Sequence, residues 1–359
     1  MTYYPDGDAD GPHDGFPGSL FGTGHDWHTY VSEISIPTPL ASPNKDLSLL
    51  NTASTLQEFQ DIRGDLFGEF EIPRVGLAYL PKQEGQSTGK LYFCWTQHMG
   101  EADVSPSHGW CELDLSNPQP AGPWRIGEYW TYATTDYLFE IPRDWADANT
   151  PGMYLATGRF RDGGQGGQGP TLFAHGPWNE GDPPPHGSQI PAIPLLLYSD
   201  IYTENGYTLA NYHHSDAWTG GAWLTAGEKS TVIFVGTKGK GDCWYGFANG
   251  VVWPDEPPYP PVPDYPNDQR GWWSDRFVGQ MIFYNPADLA AVARGEMAPY
   301  EPQPYAVMEL DEYLYHIDSE QQLDHVGAVD FDRERGLLYV FELFGDGDKP
   351  LVHVWQVEG

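Results

Sequence analysis

The sequence predicts an all-β fold: a β-propeller of five blades, carrying one short helix and Pro-rich loops. Three observations predict it, namely a recurring strand-turn-strand unit, turn residues spread along the chain, and short apolar runs dense in aromatics. In the clearest repeat, 75–80 (VGLAYL) and 89–93 (GKLYF) match 326–331 (VGAVDF) and 336–340 (GLLYV). Both copies read as strand, Gly-containing turn, strand. Each precedes a polar loop and a further strand, at 109–115 (GWCELDL) or 351–357 (LVHVWQV). Looser echoes lie at 152–158 with 171–178, at 231–237 with 242–247, and at 277–285 with 304–310. The 42 Gly and 33 Pro punctuate these runs, which is the pattern of many turns between short strands.

Recurrence every forty to seventy residues places blades at roughly 60–125, 126–185, 186–255, 265–315 and 316–359. A lone blade cannot bury both of its faces, whereas blades packed face to face around an axis bury both and leave only short edges. Closure is expected to draw on 30–36 (YVSEISI) as a strand of the last blade. Residues 1–29 then form a Gly/Pro-rich arm and 30–359 the propeller domain. A β-sandwich with long insertions is the alternative architecture. The helix is expected at 287–293, with Asn285 as N-cap, Pro286 in the first turn and Gly295 as C-cap. The segment 253–266 (WPDEPPYPPVPDYP) reads as an ordered strap or lid, because Pro cannot serve a sheet interior. Between two expected strands, 236–241 (GTKGKG) reads as a hairpin turn rather than a phosphate loop.

Hydrophobic residues at 40% and aromatics at 14% provide a core despite a net charge of -33, from 51 acidic and 18 basic side chains. Such a surface repels phosphate backbones and anionic lipid headgroups, which sets aside nucleic-acid and membrane-surface roles. No apolar run reaches the ~18 residues of a transmembrane helix. Excess carboxylate suits solubility, cation binding or a salty habitat. The first 18 residues lack a basic n-region and an apolar h-region. Either the protein stays inside or the chain begins at a mature end, and the reading adopted is extracellular or cell-surface. Cys94, Cys111 and Cys243 permit one disulfide with one thiol left over; lacking CxxC spacing and lying among aromatics, they read as buried thiols. No GxSxG elbow, P-loop or helix-opening GxGxxG is present.

Candidate chemistry gathers first at 212–218 (YHHSDAW). His213, His214 and Asp216 are candidate ligands of a divalent cation, or an acid and a base. In a strand His213 and His214 point to opposite faces, while His214 and Asp216 share one. The competing reading is a turn with an Asp cap and one histidine packed among aromatics. Arg159 and Arg161 share a strand face, where they either pair with carboxylates or hold an anionic group such as a uronate. His98, His108, His316 and His325, together with 25–28 (HDWH), end repeat strands and are expected at one mouth of the propeller, in no named metal motif. The Asp-Gly sequences at 6–10 and 346–348 suggest calcium-loop chemistry, but at 346–348 a hairpin turn is the better reading. Trp95, Trp218 and Trp244 are candidate platforms for sugar rings, although core packing is the commoner use of any one Trp.

By its Trp-rich blades, its LYF and LYV strands and the carboxylates at strand ends, the chain resembles five-bladed propeller carbohydrate-active enzymes. It is also similar to bacterial proteins without assigned activity that share YHHSDAWTGGAWL and GDCWYGF. The resemblance implies an aspartate base, a second aspartate and a glutamic acid from different blades, three positions the sequence does not single out. The expectation is an extracellular glycoside hydrolase or polysaccharide lyase acting on a glycan. Asp216 and Glu342 would be its carboxylates, His214 an acid/base or metal ligand, and Arg161 the holder of an anionic substituent. Arg159, Trp95, Trp218 and Trp244 would contact substrate. One divalent cation, calcium or a transition metal, is expected and no organic cofactor. The alternative is a non-catalytic glycan-binding or self-assembling surface protein stabilised by a cation, with 182–187 and 253–266 as arms of a homo-oligomer. The sequence leaves open whether the protein is an enzyme.

Overall fold

The computed structural model describes residues 1–8, 16–24, 30–68, 74–96, 104–160, 167–199, 207–347 and 349–359. Five small, essentially antiparallel sheets form a ring, and the chain is a five-bladed β-propeller. Blade 1 holds β1 (Thr2–Tyr4), β2 (Ser19–Thr23), β3 (Val31–Ser35) and β4 (Thr55–Gln60). Blade 2 holds β5 (Arg74–Leu80), β6 (Lys90–Thr96), β7 (His108–Cys111) and β8 (Ala121–Ile126). Blade 3 holds β9 (Tyr137–Glu140), β10 (Leu155–Gly158) and β11 (Leu172–His175); the chain then lays β12 (Gln189–Ile190) parallel to β8 of blade 2 before β13 (Ala192–Leu196) completes blade 3. Blade 4 holds β14 (Ala217–Ala226), β15 (Lys229–Gly246), β16 (Gly271–Tyr284) and β17 (Ala306–Glu309). Blade 5 holds β18 (Val326–Asp332), β19 (Leu337–Asp346) and β20 (Lys349–Gln356).

Three boundaries differ from the sequence reading. The first two strands fall in the stretch read as an arm, and 30–36 supplies β3 of blade 1 rather than a strand of the last blade. A separate first sheet is needed because blades 2 and 5 each require a neighbour on their outward face. Second, 217–309 is one blade, not parts of two, because its hairpin strands β15 and β16 run far past the sheet. Third, 236–241 is continuous strand within β15 instead of a turn, broken only by a register shift between Lys240 and Cys243. The expected helix is present as one of three among the described residues: α1 (Thr131–Thr134), α2 (Arg143–Asn149) and α3 (Pro286–Ala293). In α3 the Asn285 side chain caps Ala287 N, Pro286 opens the first turn and Gly295 follows at φ +73°. None of the described helices is long and apolar enough to cross a membrane.

The first strand of every blade is innermost, and β1, β5, β9, β14 and β18 touch one another in that order around the axis, β18 returning to β1. Side-chain-free positions allow this approach. A Cβ on Gly76 would lie 2.9 Å from the Tyr137 backbone, and one on Gly220 would lie 2.7 Å from the Gly327 carbonyl oxygen. The repeated VG at 75–76 and 326–327 is thus the mark of an inner strand.

Strands buried on both faces read as unbroken apolar runs, and the pleat divides them between two neighbours. In β6, Leu91 and Phe93 face blade 1 while Tyr92 and Cys94 face blade 3. In β15, Val232 and Phe234 pack toward blade 3 while Ile233 and Val235 pack toward blade 5. The core is accordingly five clusters, one at each seam between blades. The closing seam has the smallest cluster, built around Tyr3, Leu20 and Tyr339, and polar contacts reinforce it. Asp330 accepts from Thr2 Oγ1 at 2.8 Å and from Tyr3 N at 2.5 Å, while Arg335 donates to the Tyr3 hydroxyl at 2.6 Å.

The seam between blades 2 and 3 buries two histidines. The rings of His108 and His175 meet edge to face at 5.4 Å. His108 bonds Ser107 and Thr157, each at 3.0 Å, whereas neither nitrogen of His175 has a partner among the described residues. Burial holds both rings below the ordinary imidazole value, His175 down to about 3.

Two predictions follow from this packing. Gly220→Ala should destabilise the fold by about 1–3 kcal/mol, because the added carbon meets backbone that cannot turn aside; Gly22→Ala, with nothing within 4 Å of the new carbon, should leave the urea midpoint within error. For the histidines, between pH 6.5 and about 3 the unfolded chain binds a proton that native His175 refuses, so stability is full above 6.5 and falls as pH drops. Denaturant midpoints across that range should decline for the native sequence and decline less for His175→Phe.

Candidate functional site

Inner strands begin at one end of the ring and second strands finish there, so the residues before β9, β14 and β18 share a mouth with those after β10. Hydrogen bonds knit this end within and across blades. Phe160 N donates to Asp136 at 3.0 Å, Trp218 N to Phe160 O at 2.8 Å, and His325 N to Thr237 Oγ1 at 3.2 Å. Where blades 3, 4 and 5 meet at the mouth, there is a cavity of about 150 Å³.

Blade 4 builds most of its wall. Strands β15 and β16 stay paired from Val232 and Tyr284 out to Gly246 and Gly271, well past their neighbours. The extension carries Arg270, Trp272 and Trp273 to the cavity, opposite Phe160 of blade 3 and Asp324 at the entry to blade 5. Ser215 and Thr237 add hydroxyls. Trp272 is fixed by stacking on His214 at 4.4 Å and by Tyr245 against it at 5.4 Å. Arg270 lies over Trp253 at 4.5 Å, and Tyr259 stacks on Trp253 at 4.9 Å, so the Pro-rich strap is an ordered support for the rim. Trp273 is 8% exposed, and its Nε1 has no acceptor among the described residues.

The sequence-nominated residues cluster at the same end, but most face the protein. The segment 213–216 is a turn rather than a strand: His213 N donates to Asp216 Oδ2 at 3.0 Å, and Asp216 N donates back to His213 O at 2.9 Å. Asp216 is fully buried, with Lys238 Nζ 2.9 Å from both carboxylate oxygens and Gly239 N donating at 3.0 Å. Burial pushes the Asp216 carboxyl up and the Lys238 ammonium down, and their contact pulls each back. His213 Nδ1 meets Ser274 Oγ at 3.0 Å, while the His214 ring packs on Trp272. A lysine therefore stands where a cation would bind Asp216, and the three nominated ligands do not converge. Among the described residues no group of three or more His, Cys, Asp or Glu is disposed to hold a metal ion.

Glu342 is 1% exposed and ties the entry segment to blade 5: it accepts from Tyr315 N and His316 N, both at 2.8 Å, and meets His353 Nε2 at 2.7 Å. Arg159 is fully buried over the Tyr132 ring at 3.6 Å, with Nη1 3.4 Å from Asp136, which is the carboxylate-pairing outcome. Trp95 and Trp218 are buried at 1% and 0% exposure and present no face to solvent; Trp244 is half-buried and donates to Phe247 O at 3.0 Å. Arg161, His98, Glu101, Asp103 and 25–28 lie outside the described residues. Cys94 and Cys111 are buried free thiols, and Cys243 is free and half-buried. Sequence reasoning passed over Arg270, Ser215, Ser274, Lys238 and Asp324. The run RGWWSDR, a basic residue beside two indoles and a serine, is the signal that could have found the wall.

No family model, curated protein or solved structure matches the chain. The site therefore has to be read from its own chemistry: stacking surfaces, fixed donors and hydroxyls around a small cavity, over a floor locked by the Asp216–Lys238 pair. Removing one member of a buried ion pair strands the other charge. Lys238→Met should therefore cost about 3–5 kcal/mol in urea unfolding, whereas Lys240→Met, whose ion pair with Glu309 is surface-exposed, should cost less than about 1 kcal/mol.

Proposed function

We propose that the protein binds a carbohydrate, one ring of which occupies the cavity between blades 3, 4 and 5. The observation that carries this reading is the pair of adjacent indoles, Trp272 and Trp273, that line the cavity from β16. Trp272, held by His214 and Tyr245, offers an apolar ring suited to the C–H face of a sugar. Ser215, Thr237, Arg270 and Asp324 supply donors and acceptors for ring hydroxyls around the same space.

Binding is favoured over glycosidic cleavage by the carboxylates. Hydrolysis of a glycosidic bond uses two of them on either side of the scissile oxygen. Among the described residues lining the cavity, Asp324 is the one carboxylate. Asp216 and Glu342 are buried and fully engaged by lysine, histidine and backbone donors.

Calorimetric titration with a panel of neutral and acidic oligosaccharides tests the reading. A saccharide should bind, and Trp272→Ala should weaken it about tenfold or more. Binding by no member of the panel, or unchanged affinity in Trp272→Ala, would sink it.

A further inference from the structure

Ser215, Ser274 and His213 form a hydrogen-bonded chain at the edge of the cavity. Ser215 Oγ lies 2.7 Å from Ser274 Oγ, which lies 3.0 Å from His213 Nδ1. Ser215 lines the cavity, while Ser274 beneath it is fully buried. The fold makes room for this pair of hydroxyls: a Cβ on Gly239 would fall 2.3 Å from Ser215 Oγ and 2.4 Å from Ser274 Oγ. The same glycine donates its N–H to Asp216, whose carboxylate caps the turn that presents His213. Neither the buried ion pair nor sugar binding accounts for a serine–serine–histidine chain ending at a cavity wall.

The chain has a direction. Burial first, then the positive charge of Lys238 with His214 and Lys240, holds the His213 imidazole below its ordinary value, so the ring is neutral and one nitrogen accepts. With Nδ1 as that acceptor, Ser274 donates to His213 and Ser215 donates to Ser274. The Ser215 oxygen then accepts weakly from the Cys243 thiol at 3.8 Å and keeps a lone pair for whatever enters the cavity.

We propose that Ser215 is a nucleophile for acyl transfer, its proton drawn through Ser274 to His213, and that the substrate is a carboxylic ester carried on the bound saccharide. The saccharide part of this assignment rests on the binding reading above; the nucleophile does not. In the first half-reaction Ser215 Oγ bonds to the acyl carbon, and the carbonyl π electrons move onto the carbonyl oxygen. The Ser215 proton passes to Ser274 as the Ser274 proton passes to His213 Nδ1. Collapse of the tetrahedral species breaks the bond to the sugar oxygen, which takes a proton from a cavity water and leaves as an alcohol. The hydroxide so formed adds to the acyl-serine, and collapse releases a carboxylic acid while the freed Ser215 oxygen takes its proton back from Ser274 as His213 returns one to Ser274. Ser274 and His213 act through Ser215 and are positioning residues.

The full chain should be treated with an alkyl fluorophosphonate, with the adduct mapped by peptide mass, and assayed on p-nitrophenyl acetate. A single adduct on Ser215 is expected in the unmutated protein. Ser215→Ala should lower ester hydrolysis about a hundredfold, Ser274→Ala should also lower it, and Ser274→Thr, which restores a hydroxyl, should recover most of the loss. Melting curves identify any variant that has merely unfolded, and adduct mapping needs no variant. An unlabelled protein, an adduct elsewhere, or unchanged hydrolysis in folded Ser215→Ala overturns the nucleophile. Saccharide titration of Ser215→Ala separates the two readings: binding without labelling rejects the nucleophile alone, and labelling without binding rejects the saccharide alone.

Discussion

Each blade has two apolar faces, and everything else in the structure depends on covering both. A sheet in water can leave one face polar, but strands such as those at 91–95 (LYFCW) and 231–235 (TVIFV) alternate large apolar side chains onto both sides. Only a neighbour on each side satisfies them, and a set of such sheets has no natural end except a closed ring. With five blades the ring is tight, so the innermost strands approach backbone to backbone at Gly76 and Gly220. The final seam cannot rely on a shared strand, since blades 1 and 5 each take their strands from their own end of the chain. Its small apolar cluster is supplemented by the Asp330 and Arg335 hydrogen bonds instead.

The site is a consequence of how that ring meets solvent. At the mouth the inner strands begin, the seams open, and polar groups replace apolar ones. Two kinds of polar group result. Asp136 with Arg159, Asp216 with Lys238, and Glu342 with His353 and backbone N–H groups are paired and buried; they lock the strand ends in place. A second set, on the overlong hairpin of β15 and β16, rises past the ring and meets the entry to blade 5 across a cavity. The Pro-rich strap supports the outer side of that hairpin through Trp253 beneath Arg270. Rigid support matters because a binding wall that is already ordered loses little further entropy when a ligand arrives.

The fold was largely legible in the sequence because its driving pattern is local. Repeated VG–LYF units reported inner and second strands directly, and Asn285-Pro286 with Gly295 marked α3 through cap chemistry alone. Blade boundaries were less legible. Strands β1 and β2 are short and polar-flanked, and nothing in 1–29 says that a sheet will use them. The glycines of 236–241 look like turn residues, but they serve close approach: Gly236 against Ala217 O and Gly239 against two serine hydroxyls. The site was legible only to the level of a neighbourhood. The YHHSDAW segment does lie at the mouth, yet the partner that neutralises Asp216 is Lys238, twenty-two positions later, and pairing over such a distance leaves no local trace. Tryptophans gave the weakest guide. Buried Trp218 and cavity-lining Trp273 sit in equally aromatic sequence, and only the ring's packing separates them.

The mouth of blades 3, 4 and 5 is where we propose that this protein meets its ligand. Hydrogen–deuterium exchange of the full chain, with and without a saturating saccharide identified by titration, addresses it most directly. Slowed exchange confined to 213–217, 237–246, 269–274 and 323–325 is expected. Protection centred on other blades, with these segments unchanged, would contradict it.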